Sequence, residues 1–385
     1  MDLSLLVGLK NNLAYTRQFY TTTRKLYPDI EIVFVSYGST DGTEEWLNSL
    51  PDTRLKHYCS PENKPLSDTY NKCISLASGK YVSFVHNDMV LAAGFAESII
   101  NEISEDSILF YRVIEPPVFA NDPHDWKLVK DFGADTDSFD YDAFQSFAGN
   151  VEKKTSVPAN DLCFFLTAPR SVLIEINGLD PLFNPMFRED DDLLYRLKLY
   201  GLKFYQSYSA MVYHFVSKTS RFSADYERRT KDIEENADRN FYRKWGFGIQ
   251  SRFKRKRKIG LILKNADDKI LTMLEPLVHS IYTSTETGPY ITAAQPFTSF
   301  NLSLKFYGEK HQKRDDILIY FDAKKFSEKN MLKFKNLADE IEYKLTSRWF
   351  ILKKKLLRNP SFWLGDLKIT VVHLKTYEQT LIERK

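Results

Sequence analysis

Tyr81-Val82-Ser83-Phe84-Val85-His86-Asn87-Asp88-Met89-Val90 is an uncharged, mostly apolar run that turns abruptly polar at His86. A run of that kind reads as a short strand buried in a sheet. In an open α/β sheet, ligands bind just beyond the carboxyl ends of the strands, so His86-Asn87-Asp88 is expected to face a crevice. A carboxylate there can hold a hard divalent cation, and the cation can hold a diphosphate. The plainer alternative is a strand followed by a polar turn, and the rest of the chain has to decide between the two.

Working outward, strand patterns at residues 3–7, 31–35, 54–59 and 107–113 alternate with helical ones. Asn11-Asn12 precedes a helix with Tyr15, Phe19 and Leu26 on its apolar side, stopped by Pro28. Further helices are expected at 44–50, 66–77 (ended by Ser78-Gly79) and 92–103. Alternation with short connections predicts a doubly wound, mainly parallel α/β sheet. Between Glu115 and Pro158 no period is visible, and a long excursion or lid near the substrate site is expected. Structure returns with Asp161–Leu166, a helix at 170–176 and a helix after Arg188. Two strand-like runs, 202–206 and 210–215, and a charged helix to Trp245 follow. The basic run at 252–258 marks a composition shift. The chain therefore divides into residues 1–250 and a smaller α+β unit at 251–385. In that unit strands are expected at 259–263, 303–306, 317–321, 349–352 and 368–374, and helices at 269–282 and 328–345.

The 385 residues suffice for two domains. The formal net charge of +3 gives no bulk signature of nucleic-acid binding. Three cysteines at irregular spacings argue against a disulfide framework or a thiolate zinc site. Met1-Asp2-Leu3 lacks a basic leader and Lys10 interrupts the first apolar run, so no signal peptide is expected. No window reaches membrane-span length. A cytoplasmic enzyme or binding protein is the default expectation. The 252–258 run reads as a solvated linker or as a contact for an anionic surface, such as phospholipid headgroups at the inner face of a membrane.

Three polar clusters fall at the ends of core elements: the 38–43 loop with Asp41, the His86–Asp88 triplet, and Glu189-Asp190-Asp191-Asp192. Acids in a helix's first turn offset the macrodipole and cap free amides without any chemistry. Four in a row exceed that need, and crowding like charges can raise a carboxyl towards the range of a general base. His214, taken singly, reads more readily as a partly buried structural histidine than as a metal ligand.

The order of these clusters resembles the family 2 glycosyltransferases, which have the GT-A fold. Ile32-Val33-Phe34-Val35-Ser36-Tyr37-Gly38-Ser39-Thr40-Asp41-Gly42-Thr43 is similar to that family's strand and Asp-Gly-Ser-Thr-Asp-Gly-Thr loop. Tyr70-Asn71-Lys72-Cys73-Ile74 and Gly79-Lys80-Tyr81-Val82 resemble the next block, with Asp88 at the last position of Asp-X-Asp. Gly178-Leu179-Asp180, Glu189-Asp190-Asp191-Asp192-Leu193 with Arg196, and Val212-Tyr213-His214 resemble the later ones. The resemblance spans residues 3–215. It implies transfer of a sugar from a nucleotide-sugar donor to a glycan, lipid-linked or protein-linked acceptor, by single displacement with inversion. Mn²⁺ or Mg²⁺ would be held by Asp88 and His214, and Asp190 would be the base, with Glu189 and Asp191 as rivals. Donor contacts are expected from Gly8, Lys10, Ser36, Tyr37, Ser39, Asp41, Asn71, Asn87 and Asp88. Two departures stand out: Ser36 and Tyr37 occupy the usual acidic base-contacting position, so that Tyr37 is expected to stack on the base, and His86 replaces the first acid of Asp-X-Asp, a further ligand candidate. The rival readings are a nucleotidyltransferase, disfavoured by the lack of a glycine-rich phosphate loop, and a binding module without turnover. The second unit is assigned to acceptor binding or homo-oligomer contact.

Overall fold

The computed structural model describes residues 2–117, 124, 126–152, 154–159, 163–216 and 224–382. Asp161 and Leu162, where regular structure is expected to return, lie outside the described residues. The chain divides into two compact units, one ending at Lys231 and the other running from Asp232 to Ile382.

The first unit begins with β1 (Leu3–Leu9), α1 (Leu13–Leu26), β2 (Glu31–Tyr37), α2 (Thr43–Asn48), β3 (Leu55–Ser60) and α3 (Leu66–Leu76). It continues through β4 (Tyr81–His86), β5 (Met89–Leu91), α4 (Phe95–Glu102), β6 (Ser107–Glu115), β7 (Lys127–Val129) and α5 (Tyr141–Asn150). Then come β8 (Val157–Pro158), β9 (Leu166–Pro169), α6 (Arg170–Glu175), α7 (Glu189–Tyr200), β10 (Lys203–His214) and α8 (Ala224–Trp245), which runs into the second unit. The main sheet has the order β3-β2-β1-β4-β9-β6-β10-β5. Neighbours are parallel, except that β9 runs against β4 and β6 and β5 runs against β10. Nearly every residue of β1, β2 and β4 is buried, as a parallel sheet covered on both faces requires.

Two expectations are corrected here. The stretch after Glu115 contains a helix: Asp140 caps α5 by accepting from the Ala143 amide at 2.9 Å. Phe144 and Ala148 of that helix are buried in a cluster with Phe132, Tyr213 and Phe215. Asp-rich flanks hid a short amphipathic pattern whose packing is tertiary. The two runs at 202–215 are one strand, β10, with a bulge between Gln206 and Met211. The Ser207 hydroxyl accepts from the amides of Ser209 and Ala210 at 3.3 and 3.1 Å, satisfying backbone that the bulge frees.

The acidic run opens α7 and separates into distinct environments. Asp192 is fully buried and accepts from Arg196 Nε at 2.7 Å. The same guanidinium donates to the carbonyls of Ile176 and Gly178 at 2.8 and 2.7 Å. Gly178 has φ 61°, and a Cβ there would stand 2.1 Å from Asn71 Oδ1, so only glycine fits. Asp192→Ala leaves Arg196 buried and unpaired, and should cost about 3–5 kcal/mol in urea-unfolding free energy.

The second unit has β11 (Ile259–Lys264), α9 (Asp268–Leu274), β12 (Ser280–Thr283), α10 (Gly288–Ala294), β13 (Phe306–Gly308) and β14 (Ile317–Asp322). α11 (Glu328–Lys335), α12 (Leu337–Leu345), α13 (Arg348–Leu356), β15 (Ser361–Leu364) and β16 (Leu367–Val371) complete it. Its sheet, β13-β12-β11-β14-β16-β15, has four parallel strands extended by an antiparallel pair. Residues 349–352 are helical, not a strand, because Ser347 caps α13 by accepting from the Phe350 amide. The helix expected over 269–282 stops at Leu274, and Ser280–Thr283 pairs as β12. The 252–258 run is built into this unit and is not a free linker. Arg255 pairs with Glu378 at 2.7 Å, Arg257 pairs with Glu342, and the Arg252 and Phe253 amides donate to Asp339 at 3.0 and 2.8 Å.

Candidate active site

The chain reverses between β4 and β5, and β5 then lies antiparallel along the end of β10, with His214 opposite Met89. The Phe215 amide donates to the Asp88 carbonyl at 3.0 Å, fixing the crossing. Ligand atoms of His86, Asp88 and His214 consequently lie within 4.8 Å of one another. His214 Nε2 stands 3.4 Å from Asp88 Oδ1, and its Nδ1 is 2.9 Å from Glu115 Oε1, at the end of β6. A carboxylate on the far nitrogen orients a ligating imidazole. Glu115 was not singled out from the sequence. The signal was available, since it is another acid at the carboxyl end of a core strand. Phe165 lies 5.5 Å from the His86 ring and 5.4 Å from that of His214, so that one ring packs against both imidazoles.

These surroundings set the charges. Burial lowers the pKa of His86 to about 4, so the ring is a neutral donor at physiological pH. Burial alone would lower His214 too, but the charges and hydrogen bonds of Asp88 and Glu115 outweigh it and raise the ring to about 9. For Asp88 burial raises and the His214 charge lowers, with the carboxyl held at about 2. The set fits a divalent cation: two imidazoles and one ionised carboxylate, already converged. The His214 proton occupies the ligand position and must leave when a cation binds.

The expected donor residues fall into two groups. Lys10, Ser36, Tyr37, Ser39 and Asp41 meet where the loop after β1 interlocks with the loop after β2. Lys10 Nζ donates to the carbonyls of Tyr37 and Gly38 at 3.1 and 2.7 Å and to Asn63 Oδ1 at 3.0 Å. The Ser39 hydroxyl accepts from the Asn11 amide at 2.8 Å and from Ser36 Oγ at 2.7 Å. Asp41 accepts from the Leu13 amide at 2.8 Å, capping α1 across the two loops. The Tyr37 ring meets Tyr58 edge-on at 5.6 Å, with Lys64 Nζ 5.3 Å from its centroid. Gly8, Asn71 and Asn87 form the second group, with Gly8 opposite His86 across the β1–β4 pair. A Cβ on Gly8 would lie 3.0 Å from Thr69 of α3. Asn71 exchanges two hydrogen bonds of 2.8 Å with the backbone of Leu179. Asn87 is buried and donates to Thr16 Oγ1 at 3.0 Å.

At the start of α7, Arg188 NH1 lies 3.4 Å from Asp191 Oδ2, and Asp190 Oδ1 accepts from the Asp191 amide at 2.8 Å. Glu189 Oε2 is buried without a hydrogen-bond partner. Burial, then the Asp190 charge, raises Glu189 to about 8. Phe187 and Arg188 both have left-handed backbone, φ 75° and 68°. Strained backbone of this kind collects at functional sites.

Residues 4–165 match the model of glycosyl transferase family 2. The family 2 resemblance read from the motifs is thereby shown over that stretch, which lies on a mainly parallel α/β sheet. The matched stretch holds the loops of Lys10 and Ser36–Asp41, His86 and Asp88, and ends before Glu189–Asp192 and His214. An uncharacterized glycosyltransferase of Haemophilus influenzae is 24% identical over 110 residues, 28% of this chain and 44% of that protein. The chain thus matches less than half the length of that relative. Among solved structures, S. aureus TarS 1–349 is 14% identical with a TM-score of 0.42, over 63% of this chain and 72% of that one. GalNAc-T7 with UDP, GalNAc and Mn²⁺ is 13% identical with a TM-score of 0.46, over 63% of this chain and 48% of that one. Scores this low carry no conclusion about the present chain. No helix among the described residues is long and apolar enough to cross a membrane.

Proposed function

We propose that the protein is a glycosyltransferase moving a sugar from a nucleotide-sugar to a hydroxyl of a glycan or glycoconjugate, by single displacement with inversion. The observation that carries this reading is the convergence of His86, Asp88 and His214 at the end of a family 2 sheet. A divalent cation held by these three would supply neutralisation of the departing diphosphate. Two imidazoles among three donors favour Mn²⁺ over Mg²⁺, which prefers all-oxygen ligation. The interlocked loops of Lys10 and Ser36–Asp41 form the donor cradle. Asp190 takes the acceptor hydroxyl's proton as that oxygen bonds to the anomeric carbon and the bond to the diphosphate oxygen breaks on the opposite face. The second unit serves acceptor binding or oligomer contact.

A thermal-shift screen of nucleotide-sugars with and without Mn²⁺ tests the proposal, since a ligand of the folded state must raise the melting temperature. Binding of Mn²⁺ should release the His214 proton. Its affinity should therefore rise about tenfold per pH unit from pH 6.5 towards 9, then level off. A positive hit must also release nucleoside diphosphate on prolonged incubation. Pyrophosphate release marks a nucleotidyltransferase, and binding without any release marks a module that has lost turnover.

A further inference from the structure

Helix α13 leaves an apolar stripe uncovered. Trp349, Leu352 and Leu356 are 65, 59 and 76% exposed, and spacing of i, i+3 and i+7 puts them on one helical face. Phe350, a quarter-turn away, is buried and packs edge-on against Phe362 at 5.8 Å. The helix is thus anchored along one side and bare along the other. Residues 348–358 contain five cations and no acid. Lys353 donates to the Ser361 carbonyl at 2.6 Å and lies 4.7 Å from the Trp349 ring centroid. Among the described residues, Arg348, Lys354, Lys355 and Arg358 have no carboxylate partner, whereas Arg255 and Arg257 of the 252–258 run do.

We infer that α13 is a peripheral membrane anchor. Its Trp-Leu-Leu stripe enters the headgroup–acyl boundary of an anionic bilayer, and the flanking lysines and arginines lie on the headgroup phosphates. Charge selects this occupant. A second copy of the chain would bring five cations against five more, and an apolar protein groove would need the stripe but not the cations. The anionic-surface role read into 252–258 from the sequence passes to 348–358, because Arg255 and Arg257 of the earlier run are paired with carboxylates of the fold. This inference does not depend on the proposed glycosyl transfer, and its test reads binding, not turnover.

The full chain is sedimented with vesicles of phosphatidylcholine alone and of phosphatidylcholine with one quarter phosphatidylglycerol. Binding is expected to the anionic vesicles only. R348Q/K355Q, which removes the two cations beside the stripe, should weaken it about 30-fold, taking the contribution of each surface cation together, and L352S/L356S at least about tenfold. All four side chains are exposed, so the melting temperature of both variants should match the parent. Absence of binding to anionic vesicles, equal binding to both compositions, or indifference to either double variant overturns the inference. Vesicle-free self-association that L352S/L356S abolishes also overturns it.

Discussion

Asp88→Asn should lower metal-dependent release of nucleoside diphosphate from the donor by about 10³-fold, while the protein stays folded. The size follows from the several kcal/mol that a bound cation contributes to a departing diphosphate. Asp88 supplies the only carboxylate among the three converged side chains. With an amide there, two neutral imidazoles face the diphosphate and hold a hard cation poorly. The variant also removes the strongest charge favouring the His214 imidazolium, so that ring should titrate at lower pH than in the parent. Folding is spared because the β5–β10 crossing uses the Asp88 backbone carbonyl, not its carboxylate. Two measurements check this together: the Mn²⁺-induced melting shift, expected to vanish, and the metal-free melting temperature near neutral pH. The His214 contribution to that baseline is present below its ordinary pKa of 6.5 and fades as pH rises through about 9. Loss of the Asp88 charge should therefore matter most in acidic and neutral buffer and little above pH 9. Full metal-dependent turnover in Asp88→Asn would falsify the assignment of this cluster.

How far the sequence revealed this site depended on which forces fixed each part. The first strands and helices were legible because a parallel sheet buried on both faces writes itself as uncharged runs, as at β2 and β4. His86, Asp88 and His214 were legible as residues at strand ends, and the order of the motif blocks that hold them carried the family 2 resemblance. Their mutual approach was not, because it depends on β5 crossing to β10, a pairing with only three register positions. Glu115 was legible in the same way, as an acid at the end of β6, and only its contact with His214 depends on that non-local geometry. Asn71 and Asn87 are bound to backbone and side chain within the fold, as Lys10, Ser39 and Asp41 are. An asparagine's polarity in sequence says nothing of which partner it meets. In the second unit, α13 was misread because Trp, Phe, Ile and Leu in succession suit a strand, while the Ser347 cap and a one-sided Phe350 anchor decide for a helix.

Within the acidic run, Asp190→Asn should reduce the transfer rate about 10³-fold, in the middle of the range for removing a general base, and leave donor and Mn²⁺ melting shifts intact. The structure distinguishes the four acids by their partners. Asp192 is occupied by Arg196 in the core. Asp191 lies at ion-pair distance from Arg188, which ties down its carboxylate. Glu189 is buried, and with its pKa raised to about 8 it keeps its proton through the neutral range, so it cannot accept another there. Asp190 remains, partly exposed, with one oxygen held by the Asp191 amide. That amide keeps the carboxylate oriented and leaves the other oxygen for the acceptor hydroxyl that the proposed transfer requires. Glu189→Gln is the discriminating partner variant, because it deletes an ionisation without deleting the base. Its rate at pH 7 should stay within a few-fold of the parent, since Gln resembles the protonated acid already present there. Above pH 8 the parent acquires a second negative charge beside Asp190 and Glu189→Gln does not, so the two pH–rate profiles should part only on the alkaline side. If instead Glu189→Gln loses the full 10³ at pH 7 and Asp190→Asn keeps its rate, the base is Glu189, and the burial that raises its pKa is the device that tunes it.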